Sequence, residues 1–321
     1  MKKMLCSLIA MALILTGVLC GVSAEEQTVV RVAGLKGPTG MSLAHMMTEN
    51  DGRYAFTIES SPNLVNPLVI SGQVDIAIVP INAGAVLYNK TAGGVKALAL
   101  TTRGMLYILE KGDSIQSIAD LEGKTIVAAG QGATPEYVTR YILDAYDVNA
   151  QVEYLSEHAE VTAQALAGRA DIVLLPEPQV TTLLMKDPSY RKALDITKEF
   201  SAAAEKNGEA EAQLSMSVAI VRTEFAKAHP ELVKQFCEEL KASIVFANEH
   251  VPQAAQEIAK LEIIPSAAIA EAAIPSCTLV YIDGAEMREQ AAPLYHILYS
   301  ANPASVGGQE PDEGYYCTND E

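Results

Sequence analysis

Two stretches of the chain carry the same order of apolar and polar segments. The first stretch starts with a β-branched run, which predicts a strand, and a glycine-rich turn follows it. The predicted order is strand 29–33, helix 41–48, strand 54–59, helix 63–71 and strand 75–79. The last of these strands is nearly all apolar, which is typical of a sheet covered by helices on both faces.

The second stretch repeats this order about 96 residues further along the chain. Its predicted order is strand 125–129, helix 136–145, strand 152–155, helix 159–167 and strand 171–175. Gly72 and Asp75 of the first copy correspond to Gly168 and Asp171 of the second. A repeat of this length is a whole supersecondary unit. Two β-α-β-α-β units predict an α/β fold of two lobes, each an open, mostly parallel sheet flanked by helices.

Three further strand-like runs mark where the chain crosses between the lobes. They are 95–101, 105–110 and 214–221. We therefore predict a hinge of crossover strands, with 25–107 and 224–321 in lobe one and 108–223 in lobe two. The Ala- and Glu-rich stretch 201–212 is expected to be a solvated helix or loop.

The C-terminal part of the chain is mostly helical in pattern. The predicted helices are 230–248, 252–261, 266–273 and 283–299. The final segment, 303–321, is rich in Gly, Pro and acidic residues, and we expect it to be a mobile acidic tail.

The N-terminus has the layout of a secretory signal peptide. Lys2 and Lys3 precede an apolar run over 4–19, and Val22-Ser23-Ala24 supplies the small residues of a cleavage site. We predict a signal peptide over 1–24, with export to the periplasm or to the outer face of the cytoplasmic membrane. Two alternatives stay open, an uncleaved membrane anchor and a lipid anchor on Cys20.

Charge and cysteine content narrow the classes of partner. The formal net charge is −17, and loss of two leader lysines would make it about −19. Such a charge argues against binding nucleic acid or anionic membrane surfaces. Cys237, Cys277 and Cys317 form no C-x-x-C pair, so no metal site is predicted. A Cys277–Cys317 disulfide and buried free thiols remain equal alternatives.

The repeat also predicts where a ligand binds. Ligands of open α/β sheets bind outside the carboxyl ends of the strands. The turns at 35–41 and 130–134 follow the first strand of each copy and open a helix, so their free N–H groups form a cup for an anion or a dipole. Residues after the third strands and at the crossover face the same cleft. The candidate ligand-binding residues are Gly37, Pro38, Thr39, Gly40, Met41, Asn82, Thr102, Arg103, Gly132, Ala133, Thr134 and Glu177.

Two charged side chains stand out among these candidates. Glu177 lies between Pro176 and Pro178, and its carboxylate would accept hydrogen bonds from an amino or ring N–H of a ligand. Its alternative role is a solvated glutamate at a strand end. Arg103 would pair with an anionic ligand, and its alternative is a structural salt bridge.

The sequence contains no motif typical of an enzyme active site. The histidines stand apart in the sequence, none at nucleophile-elbow or metalloprotease spacing, and we expect all of them on helix surfaces. They are His45, His158, His229, His250 and His296. No phosphate-loop motif occurs. We therefore predict no catalytic residue and no cofactor.

The export signal, the duplicated unit and the ligand turns together resemble the periplasmic-binding-protein superfamily, type II. The resemblance rests on 34–41, on 72–80 with its copy, and on Pro176-Glu177-Pro178. It is strongest to the NMT1/THI5-like, or SsuA-like, branch that serves nitrate, sulfonate, taurine and thiamine-pyrimidine uptake.

This resemblance implies a monomeric solute-binding protein outside the cytoplasm. It would capture a small polar or anionic organic molecule between its lobes and deliver it to an ABC transporter permease and its ATPase. Two alternatives from other classes stay open. One is an enzyme of the thiamine-pyrimidine-synthase type, and the other is a ligand-sensing subunit of an envelope receptor.

Overall fold

The structure is a computed structural model that describes residues 28–317. The predicted signal peptide and Cys20 lie outside the described residues. The strands are β1 (Val30–Leu35), β2 (Tyr54–Glu59), β3 (Ile76–Pro80), β4 (Val95–Arg103), β5 (Leu106–Lys111), β6 (Thr125–Ala129), β7 (Gln151–Leu155), β8 (Ile172–Pro176), β9 (Tyr190–Asp195), β10 (Ser215–Arg222) and β11 (Leu279–Asp283).

The helices lie between and after these strands. They are α1 (Pro38–Thr48), α2 (Pro62–Ile70), α3 (Ile81–Lys90), α4 (Thr134–Ala145), α5 (His158–Leu166), α6 (Gln179–Lys186), α7 (Ile196–Lys206), α8 (Thr223–Ala228), α9 (Pro230–Glu249), α10 (Val251–Lys260), α11 (Ala267–Ala273) and α12 (Gly284–Ala301). Short 3-10 turns lie at 118–121, 274–276, 303–306 and 313–315.

The strands form two separate sheets, one in each lobe. The sheet of lobe one has the order β11-β4-β10-β3-β1-β2, and the sheet of lobe two has the order β7-β6-β8-β5-β9. The first repeat copy supplies the parallel strands β2-β1-β3, and the second supplies β7-β6-β8 in the same arrangement. The predicted two-lobed α/β fold is confirmed, with the carboxyl ends of the repeat strands at one edge of each sheet.

The sheets are mixed rather than mostly parallel. β10 pairs antiparallel with both β3 and β4, and β5 pairs antiparallel with both β8 and β9. β5 and β10 are the strands by which the chain enters lobe two and returns to lobe one. Each is antiparallel to the repeat strand beside it. Because β10 belongs to the sheet of lobe one, the predicted extension of lobe two to residue 223 is wrong, and lobe two ends before Ser215.

Among the described residues, one apolar core is shared by the two lobes. A single cluster of buried side chains joins Leu100 of β4 and Leu294 of α12 to Ile108 of β5 and Phe200 of α7. The stretch 201–212, expected to be a solvated helix or loop, begins with the second half of helix α7, where Ala203 and Ala204 are fully buried. Burial of these side chains fixes the lobes against each other along α12.

The segment after α12 is packed, contrary to the mobile tail expected for 303–321. Tyr315 is fully buried, and a parallel bridge joins Tyr316 to Ala97 at the edge of β4. The Asn89 side chain donates to the Val306 carbonyl at 2.7 Å, and the Tyr88 hydroxyl donates to Asp312 Oδ1 at 2.5 Å. The acidic composition predicted mobility, but burial of Tyr315 and Tyr316 stabilises the packed position of 303–317. Residues 318–321 lie outside the described residues.

Between residues 28 and 317, no helix combines the length and the apolar character that a membrane crossing needs. Within the same range, no three His, Cys, Asp or Glu side chains come together as a metal site.

Candidate ligand cleft

The turn before α1 is built around the Thr39 side chain. Thr39 Oγ1 accepts from the Leu35 N–H at 3.0 Å and donates to the Leu35 carbonyl at 2.8 Å. Gly37 has φ = 92°, a conformation that favours glycine, and Pro38 is the first residue of α1. A Cβ at Gly37 would lie 3.9 Å from Pro178, so lobe two reaches the turn here.

Gly40 and Met41 pack beneath this turn and stabilise its position. A Cβ at Gly40 would lie 2.7 Å from the Leu35 carbonyl oxygen, so only glycine allows the helix to approach this closely. Met41 is fully buried, and its sulfur lies 3.8 Å from Cys277 Sγ. Cys277 is a buried thiol packed on Met41 and forms no disulfide. Direct ligand contact by Gly40 and Met41 stays a prediction, and the packing supports a structural role.

The matching turn in lobe two contacts lobe one. The buried Thr134 hydroxyl donates to Asn82 Oδ1 at 3.3 Å across the cleft, and Asn82 Nδ2 donates to the Ser305 carbonyl at 3.4 Å. The Gly132 N–H is already engaged, since it donates to Glu136 Oε2 at 2.6 Å. Ala133 is half-buried and precedes α4. The structure thus brings the predicted residues Asn82 and Thr134 together from opposite walls.

The hinge strands carry a buried hydroxyl cluster. Ser217 of β10 is 2.6 Å from the hydroxyls of both Thr101 and Thr102. These three side chains satisfy one another, which fixes β4 against β10. The Thr102 hydroxyl is therefore committed to the hinge, and its ligand contact stays a prediction.

Arg103 ends β4 beside this cluster. Its guanidinium donates to the side-chain oxygen of Gln213 and, at 2.9 Å, to that of Gln290. Among the residues that the structure describes, no carboxylate lies within ion-pair distance of Arg103. Ser215 is directly opposite Arg103 in the β10–β4 ladder, and its buried hydroxyl has no hydrogen-bond partner in the described chain. Side chains of directly opposed residues project from the same face of a sheet.

Glu177 is neither solvated nor free. Its side chain is fully buried, and Oε1 accepts from Lys192 Nζ at 3.0 Å. Oε2 accepts from the Thr181 N–H at 3.0 Å and from the Thr181 hydroxyl at 2.8 Å, so it also satisfies the first turn of α6. Ligand contact by Glu177 stays a prediction, but its carboxylate oxygens already have partners. Sequence reasoning missed Lys192, which lies in an edge strand that the pattern did not predict.

The chain has recognisable relatives in sequence and in structure. The sequence model of the family described as NMT1/THI5 like matches residues 55–255, more than half of the chain. The chain belongs to the NMT1/THI5-like family. Among curated protein sequences, none matches it.

Solved structures share the fold of this NMT1/THI5-like chain over most of its length. A structure described as an ABC transporter from Parabacteroides distasonis has a TM-score of 0.77 at 24% identity, covering 91% of this chain and 99% of that one. The aliphatic sulphonate binding protein SsuA from Escherichia coli has a TM-score of 0.72 at 15% identity, covering 90% and 92%. The alkanesulfonate-binding protein SsuA from Xanthomonas axonopodis pv. citri, bound to MOPS, has a TM-score of 0.64 at 17% identity, covering 85% and 92%. These similarities confirm the predicted periplasmic-binding-protein fold.

Two cavities of this NMT1/THI5-like protein lie outside the cleft. One, of about 650 Å³, borders α12, and the other, of about 660 Å³, lies between α9 and the β4–β11 edge. None of the predicted ligand-binding residues lines either cavity.

The expectation that all histidines lie on helix surfaces is wrong for His45, His158 and His229, which are each partly buried. His158 begins α5, and its Nδ1 is buried with no hydrogen-bond partner in the described chain. Burial lowers the pKa of His158 to about 4 from its usual 6.5. The imidazole is therefore neutral in the folded protein near pH 7.

This pKa predicts a loss of stability in mild acid. Between pH 6.5 and pH 4 the unfolded chain binds a proton at His158 that the folded chain does not. The free energy of unfolding should then fall as the pH falls, by about 1.4 kcal/mol per pH unit. Urea unfolding at pH 6.5 and pH 5 should show about 1.6 kcal/mol more loss in the wild type than in His158→Asn, because the unfolded histidine is already half protonated at pH 6.5. An equal loss in the two proteins would contradict the assignment, and the exposed His296→Asn is the control.

Proposed function

We propose that the chain is an extracytoplasmic solute-binding protein that holds a small organic anion between its lobes and delivers it to an ABC transporter permease. The observation that carries this proposal is Arg103, a hinge cation whose described partners are two neutral amides.

The electrostatics of Arg103 favour an anionic ligand. Arginine stays charged at every physiological pH, and a partly buried charge needs a counter-charge to offset its lost hydration. The amide oxygens of Gln213 and Gln290 supply hydrogen bonds but no net charge. The unpartnered hydroxyl of Ser215 adds a donor on the same face. A sulfonate, carboxylate or similar group would supply the negative charge for Arg103 and an acceptor for the Ser215 hydroxyl.

The two walls of the cleft favour closure around such a ligand. Asn82 and Thr134 already meet across the cleft, as do Gly37 and Pro178. A ligand that contacts both walls binds the closed form better than the open form, so it shifts the population towards closure. The structural relatives described as sulfonate-binding proteins and as an ABC transporter support both the ligand class and the transport role.

A thermal-shift screen tests the proposal. The panel is ethanesulfonate, taurine, nitrate, bicarbonate and thiamine-pyrimidine precursors. At ~100 times its dissociation constant, a true ligand should add about 2.7 kcal/mol to the free energy of unfolding. Arg103→Gln should weaken the binding of that ligand by about 1.5–3 kcal/mol in calorimetry, because a charged hydrogen bond is lost.

Three outcomes would contradict parts of the proposal. If no anion in the panel stabilises the protein, the anion-binding function is wrong. If Arg103→Gln binds with unchanged affinity, the hinge is not the anion site. Turnover of a bound panel member would favour the enzyme of the thiamine-pyrimidine-synthase type. Delivery is tested by uptake of the bound compound in cells that lack the gene.

A further inference from the structure

The Lys192 ammonium stands where the two lobes meet. Its Nζ lies 3.0 Å from Glu177 Oε1 in lobe two and 3.5 Å from the Ser276 hydroxyl in lobe one. It also lies 4.1 Å from the centroid of the Tyr107 ring, within cation–π range. A long, flexible side chain held by a carboxylate and an aromatic ring is a positioned charge, unlike Lys198, whose side chain is 82% exposed.

Lys192 retains the capacity to bind a further acceptor. An ammonium carries three N–H donors. One is used by Glu177, and the 3.5 Å separation from Ser276 is longer than a good hydrogen bond. About a third of the Lys192 side chain is exposed, whereas Glu177 is fully buried. Glu177 therefore binds the ammonium from the protein interior, while part of the Lys192 side chain is exposed to solvent.

Lys192 lies away from the apolar core that the two lobes share. The apolar core shared by the lobes runs along α12, α7 and β5. Lys192 lies elsewhere, near the contact between α6 and α11 and near Pro178, which meets Gly37. A contact made of polar and small groups costs less to break than a shared apolar core, so this side separates more readily.

Two cations lie near the junction of the lobes, Arg103 at the end of β4 and Lys192 in β9. Glu177 compensates Lys192, and Asp195 lies 3.8 Å from Lys198. Arg103 has no carboxylate partner within ion-pair distance among the described residues, and its side chain contacts Gln213 and Gln290. Arg103 belongs to the sheet of lobe one and Lys192 to the sheet of lobe two, so the two lobes each supply one cation.

We propose that Lys192 is a second ligand-binding cation, and that Glu177 and Tyr107 are its positioning residues. The inference rests on the proposed anion-binding function and deepens it. The ligand class is an organic anion whose acceptor oxygens reach both Arg103 and Lys192 in the closed form. Glu177, predicted from the sequence to touch the ligand, acts through Lys192 instead.

Calorimetry with the panel compounds that bind the wild type tests this role. Lys192→Met should weaken their binding about tenfold, the loss expected for one charged hydrogen bond at a partly exposed site. Lys192→Arg should stay within about threefold of the wild type, and the matched control Lys198→Met should bind unchanged. The difference between the wild type and Lys192→Met should shrink in about 0.5 M salt, because salt screens a partly exposed charge.

The outcomes separate this inference from the proposed function. If an anion binds the wild type, and Lys192→Met binds it equally well, the inference is wrong and the proposed function stands. If no panel anion binds the wild type, the inference and the proposed function are both wrong. A loss that Lys192→Arg shares and that salt does not change would indicate a structural role and overturn the inference. If Lys192→Met does not fold, Glu177→Gln/Lys192→Met removes the unpaired buried charge and gives the same comparison.

Discussion

Tyr315→Ala is expected to lower the free energy of unfolding by about 4 kcal/mol, as for other large buried aromatic residues. The Tyr315 ring is fully buried, with ring centroids of Tyr88, Tyr295 and Tyr316 at 5.1, 5.9 and 5.2 Å. Its hydroxyl lies 3.3 Å from that of Tyr295 and against Gly84, where a Cβ would overlap it. Removing the ring would leave a cavity between α3, α12 and the C-terminal segment.

Urea unfolding of the variant measures this loss. Tyr315→Phe, which keeps the ring and removes only the hydroxyl, should cost about 1 kcal/mol. A Tyr315→Ala protein as stable as the wild type would mean that the C-terminal segment is a mobile tail after all, as its acidic composition suggested.

Glu177→Ala is expected to cost about 3 kcal/mol of unfolding free energy. The substitution removes the counter-charge of the Lys192 ammonium. It also leaves the Thr181 N–H, in the first turn of α6, without its acceptor. Breaking a buried ion pair by removing one partner costs about 3–5 kcal/mol, and the one-third exposure of Lys192 puts the cost at the lower end.

The matched control is Glu224→Ala. Glu224 also pairs with a cation, Arg222, at 3.1 Å, but its side chain is 89% exposed. Its removal should change the free energy of unfolding by less than about 1 kcal/mol. If the two variants lose stability equally, the Glu177 pair is no stronger than a surface pair, and its positioning role loses support.

The repeat units were predictable because their signals are local. The strands at 54–59 and 125–129 have the bounds that alternation and β-branching predicted. α3 was missed because it begins at Ile81, directly after β3, with no intervening turn residues. β9 was missed because this edge strand carries two adjacent cations, Arg191 and Lys192, which interrupt its apolar pattern.

The candidate site was only partly predictable for a related reason. The location of the turns at the strand ends follows from topology, and the contact between Asn82 and Thr134 agrees with it. What each side chain does there depends on partners distant in sequence. Nothing local to Glu177 shows that Lys192 comes to it from an edge strand, or that Arg103 meets Gln290 of α12.

Native mass spectrometry of the protein purified from its own host shows whether the protein carries an anion that depends on Arg103. We expect a bound small organic anion that is released on denaturation and is lost from Arg103→Gln purified in the same way. A wild-type protein that carries no anion, or an Arg103→Gln protein that retains the anion fully, would show that the proposed anion-binding function is wrong.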